Sequence, residues 1–67
     1  MKRTYYEVRM LGCIAYVSAL NEQEAIILAQ AEAIQEGMNY ELVSIYGISI
    51  EEFIKQKRKE REELESK

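Results

Sequence analysis

Three isolated glycines in a chain without proline fix where this sequence can turn, and so which elements it can build. Gly12 separates two strand-like runs, and Gly37 and Gly47 separate runs of different apolar period. Thr4 to Met10 alternates as a strand does, with Tyr6, Val8 and Met10 on one side and Tyr5, Glu7 and Arg9 on the other. Beyond Gly12, Cys13 to Val17 reads as a second strand with no charge on either face. A two-residue Leu11-Gly12 loop would pair Met10 with Cys13, Val8 with Ala15 and Tyr6 with Val17. Leucine disfavours the positive φ of a primed turn, so a three-residue loop with glycine in the left-handed position competes with it. The two loops place strand two in opposite facial registers, and both remain open at this level.

Asn21 is a good helix N-cap, and Glu24 three residues later completes a capping-type box. Leu20 and Ala25 occupy the staple positions and Gly37 suits the C-cap, which predicts a helix over Glu22 to Glu36. Ala25, Ala29 and Ala33 form a ridge at four-residue spacing. Ile26, Ile27 and Ile34 cover a second sector, and Leu28 a third, so the helix is apolar over most of its circumference. Tyr40 to Tyr46 reads as a third strand, broken by Gly47. Ser49 then caps a second helix, with Glu52 as its partner and Ile48 stapled to Phe53. From Lys55 the sequence is nearly all charge, apart from Leu64. Glu51–Lys55 and Glu63–Lys67 are favourable pairs, while Arg58–Glu62, Lys59–Glu63 and Arg61–Glu65 run in the weaker direction.

The order strand, strand, helix, strand, helix predicts an α+β fold of ββαβα type. Right-handed crossover places strand three beside strand one, giving a three-stranded antiparallel or mixed sheet of order 2-1-3. One helix packs on that sheet and a charged helix follows. Residues 1–54 form the expected single domain and 55–67 a charged helical extension. At 67 residues only one small domain is possible, and such a chain buries only about 60% of its unfolded surface.

The residue inventory removes most catalytic chemistry. No histidine is present, so nucleophile–imidazole dyads and triads are excluded. A lone cysteine, Cys13, sits in an apolar run and reads as a core residue. One cysteine without histidine cannot close a zinc site, and the acids are all glutamate, unlike a calcium-binding loop. Single glycines cannot make a phosphate cradle. The expectation is a non-enzyme with no cofactor and no metal. The longest apolar window, Met10 to Leu20, is too short to span a bilayer, so no membrane role is expected and the reading is cytoplasmic.

Against this small interior, 48% of the residues are apolar. The excess falls on the second sheet face. In the two-residue register that face holds Tyr5, Ile14, Tyr16, Tyr40, Leu42 and Tyr46; in the other, Cys13, Ala15 and Val17 replace Ile14 and Tyr16. Three coverings compete: the Ile50-Phe53-Ile54 turn of the last helix, a second copy of the chain sharing a face or a sheet edge, and another protein. Tyrosine is a favoured interface anchor. Exposed aromatics on a sheet could also stack nucleic-acid bases. Charge opposes that use, because residues 1–54 carry three basic against eight acidic side chains, a net of −5. The basic run Lys55, Arg58 and Arg61 could touch phosphates, but it reads first as a solvated, self-paired helix.

The expected function is a small protein-binding module, self-associating as a homodimer or larger, that inhibits or regulates by occupying a surface of a larger protein. Its expected interface residues are Tyr5, Tyr16, Tyr40, Leu42, Tyr46, Lys55, Arg58 and Arg61. In size and style, though in no motif, the chain resembles small phage and mobile-element products that inhibit host or defence machinery. The alternatives are an oligomer that sequesters a small ligand or nucleotide between subunits, and a nucleic-acid accessory factor using the basic helix.

Overall fold

The computed structural model describes residues 2–65, with side chains described for residues 2–61. Its elements are β1 (Thr4–Met10), β2 (Ile14–Ala19), α1 (Glu22–Gln35), β3 (Leu42–Ile48) and α2 (Ile50–Glu65). The sheet is antiparallel throughout and its order is β2-β1-β3. This is the α+β architecture that the element order implies. The ion pairs expected to reach residues 62–67 lie outside the described side chains.

The hairpin takes the two-residue register, with Val8 opposite Ala15 and Tyr6 opposite Val17. Met10 N–H donates to the Cys13 carbonyl at 2.9 Å, closing the Leu11-Gly12 turn. Neither turn residue adopts a positive φ. The turn is held instead from outside. Leu11 N–H donates to the Glu41 carbonyl at 2.9 Å, and Gly12 N–H to the Asn39 carbonyl at 3.0 Å. Asn39 in turn shapes its own loop, its side-chain oxygen accepting from Glu41 N–H at 2.9 Å. Tertiary hydrogen bonds thus replace the left-handed glycine that turn chemistry alone suggests.

Asn21 caps α1 as its sequence position requires, its side-chain oxygen accepting from Glu24 N–H at 2.9 Å. Gly37 ends the helix at φ +70°. Gly37 N–H bonds to the Ile34 carbonyl and Met38 N–H to the Ala33 carbonyl, the two bonds of a Schellman motif. Ser49 starts α2 by accepting from Glu52 N–H at 3.2 Å. The Glu52 carboxylate does not return to the cap; it accepts from Gln56 at 2.8 Å.

Two strand boundaries differ from expectation. β2 extends to Ala19, and β3 runs Leu42–Ile48 rather than Tyr40 to Tyr46. Gly47 lies inside β3 opposite Tyr6, where its open surroundings demand no side chain. The register between β1 and β3 slips by one residue between Arg9 and Met10. That slip makes Val43 a bulge residue and puts Leu42 opposite Met10, whose side is the α1 face. Tyr40 precedes the strand and lies on neither sheet face.

The core lies between α1 and the sheet. Tyr6, Val8, Met10, Ala15, Val17 and Ala19 meet Ala25, Ala29 and Ala33 there, and Cys13 and Ile45 border it. The helix contributes only alanines to this layer, so α1 seats closely on the sheet. It lies mainly over β2 and β1 and barely touches β3. α2 crosses β1 and β2 on the opposite face. Among the described residues, no helix is long and apolar enough to cross a membrane.

Candidate protein interface

Side chains on the α2 side of the sheet follow directly from strand parity. Tyr5, Glu7 and Arg9 of β1 sit between Tyr16 of β2 and Tyr46 of β3, because Glu7 pairs with both tyrosines. Phe53 of α2 lands on Tyr5, the rings 4.7 Å apart and tilted by 43°. Arg9 donates to the Glu7 carboxylate at 2.8 Å and lies over the Tyr46 ring at 5.6 Å. Lys57 approaches Phe53 at 5.8 Å and Glu60 at 3.6 Å. The second sheet face, expected to carry the apolar and aromatic excess, is therefore partly closed by a mixed helix surface in which Phe53, Gln56, Lys57 and Glu60 are half-buried. Ile50 and Ile54 remain nearly half exposed, so the apolar turn of α2 covers the sheet only through Phe53.

Tyr16 carries a measurable mark of this arrangement. Burial raises its phenol above the usual range, and the Glu7 carboxylate, which also hydrogen-bonds it, raises it further; Arg9 opposes the shift. A folded-state value above the unfolded one stabilises the protein fully below about pH 10 and less as pH climbs beyond it. Absorbance titration at 295 nm should show Tyr16→Phe removing a late-titrating tyrosine and flattening the alkaline loss of stability. Loss of a component titrating at the ordinary tyrosine value would contradict the packing of Tyr16 under α2.

The eight expected interface residues do not form one cluster. Tyr5, Tyr16 and Tyr46 share the α2 side, with only Tyr46 largely exposed. Tyr40 and Leu42 leave that face for the other end of the molecule. There they line an open, shallow groove of about 660 Å³ with Gln30 and Met38. Gln30 donates to the Tyr40 carbonyl at 3.1 Å, which ties α1 to the segment entering β3. Lys55, Arg58 and Arg61 are exposed along α2.

Sequence reasoning missed the most open apolar surface. Val43 is 60% exposed and Ile45 only partly covered, because α1 stops short of β3. Ile27 and Ile34, 66% and 58% exposed, lie on the outer side of α1, away from the alanine ridge that meets the sheet. The uncharged run Leu42 to Ile50 is the one sequence feature that goes with the opening at β3, and that run does not show which side stays open. Cys13 borders the core; burial pushes its thiol up, and Glu36 and Glu32 add to the shift. Among the described residues no group of three or more His, Cys, Asp or Glu could hold a metal ion. Comparison of the chain with family models, curated proteins and solved structures finds no match.

Proposed function

We propose that this protein is a small non-enzymatic binding module that self-associates and acts as an inhibitor or regulator by occupying a surface of a larger protein. The observation that carries this reading is the apolar surface left open once both helices have packed. Val43, Tyr40 and Tyr46, in β3 and the segment entering it, and Ile27 and Ile34 on the outer side of α1, are each more than half exposed. That many exposed large apolar side chains on so small a domain support an interaction role. Tyr46 under Arg9 adds the aromatic–cation pairing favoured at interface centres.

Immobilised native protein, and a Tyr40→Ser/Tyr46→Ser double variant, would be exposed to extract of the source cell. The native protein should retain one larger protein in stoichiometric amount, and the variant should retain much less at an unchanged circular dichroism spectrum. A native protein that retains nothing, or a partner indifferent to both tyrosines, would count against the reading.

A further inference from the structure

We propose that the self-association runs through β3, whose free edge pairs antiparallel with β3 of a second copy about a two-fold axis at Ile45. This inference rests on the self-associating part of the function proposed above.

The two sheet edges are not equivalent. β2 is overhung by α1 on one face and α2 on the other. Arg3 also closes it, donating to the Ser18 carbonyl at 2.6 Å and to the Ser18 hydroxyl at 3.0 Å. β3 has neither protection. Its seven residues, Leu-Val-Ser-Ile-Tyr-Gly-Ile, include no charge and no proline, the usual guards of a free edge.

Backbone parity shows what that edge offers. Met10 and Cys13 form a hydrogen-bonded pair, so along β1 the groups of Met10, Val8 and Tyr6 point to β2 while those of Arg9, Glu7 and Tyr5 point to β3. On β3 the residues opposite Val8 and Tyr6, namely Ile45 and Gly47, therefore direct N–H and C=O groups away from the sheet. A two-fold axis at Ile45 makes Ile45 of the two copies a hydrogen-bonded pair. It also sets Gly47 of one copy opposite Val43 of the other, and Ser44 opposite Tyr46. Every side chain keeps its face, so Val43 and Ile45 of both copies join in one apolar strip on the α1 side. Glycine opposite the bulged Val43 leaves that residue room.

The exposed area agrees with a missing partner. A compact monomer of 7.8 kDa exposes roughly 4,400 Å². This chain exposes 5097 Å². The surplus, roughly 700 Å², includes the exposed α2 side chains Lys55, Arg58, Lys59 and Arg61 as well as the uncovered side of β3, and is compatible with one partner's share of a standard interface.

Light scattering across the micromolar range should give twice the 7.8 kDa chain mass at the upper end. Val43→Lys sets two ammonium groups on the junction from a position exposed in the single chain, and should weaken association more than tenfold while the fold persists. In a Cys13→Ala background, Ile45→Cys should form a cross-linked dimer rapidly under mild oxidation, and Ser18→Cys on the β2 edge should not; this readout stands even if the lysine variant folds poorly. A native protein that stays monomeric overturns both this inference and self-association, leaving partner binding to its own test. A dimer that ignores Val43→Lys and cross-links through Ser18→Cys overturns the β3 assignment alone.

Discussion

Ala29→Leu is expected to cost about 3 kcal/mol of unfolding free energy, the upper range for overpacking a tight core. A domain of this length has of order 3–10 kcal/mol in total, so the variant should sit near the edge of folding. The reason lies in the seat of α1. Ala25, Ala29 and Ala33 are the helix's only fully buried residues, and the bulkiest fully buried side chain beneath them is Val8. Val8 is β-branched and fully buried, so a leucine at the centre of the ridge must displace either the helix or the longer Tyr6 and Met10 side chains of the same layer, and packing is lost either way. Ile27→Ala, on the open side of the same helix, should change stability by less than about 0.5 kcal/mol. Urea denaturation followed by circular dichroism separates the two, and equal costs would refute the alanine seat.

Gly12→Ala should cost about 2 kcal/mol, and for a reason unrelated to φ. A β-carbon at Gly12 would lie 2.5 Å from the Asn39 backbone nitrogen and 3.0 Å from its carbonyl oxygen. Those are backbone atoms, and moving them strains the two hydrogen bonds that fasten Leu11 and Gly12 to Asn39 and Glu41. The other glycines serve as controls. Gly37 meets nothing within 4 Å but stands at φ +70°, so Gly37→Ala should cost about 1–2 kcal/mol. Gly47 has open space and no positive φ, so Gly47→Ala should fall within about 0.5 kcal/mol of the parent. A melt series in which Gly12→Ala is as mild as Gly47→Ala would show that the hairpin tip is not docked.

Local signals made much of the fold legible. The caps at Asn21 and Ser49, the glycine stop of α1 and the alternation of β1 each depend on neighbours within four residues, and each appears as read. Strand order followed from crossover handedness. What stayed hidden depends on residues far apart in sequence. The hairpin register is decided by carbonyls some thirty positions downstream, which let Leu11-Gly12 turn without a positive φ. The bulge at Val43 shifted Leu42 to the α1 side, and the docked loop took Tyr40 out of the strand. Two of the six residues expected on the tyrosine face were thereby dispersed. The open side of β3 was not legible either, because whether a helix reaches across two strands or three is a matter of its docking position. Periodicity carries no trace of that.

The Arg3 latch on Ser18 bears on how many molecules can join, as well as how they join. A sheet with two receptive edges is divalent: each addition exposes a fresh end, and growth proceeds into fibres. If β3 pairs as proposed, with β2 closed by a guanidinium the unit would be monovalent, and a single symmetric union would consume the one available end. Removing the Arg3 side chain would thus change the valence of the block rather than the strength of its existing bond, turning a terminating pair into a chain that can lengthen.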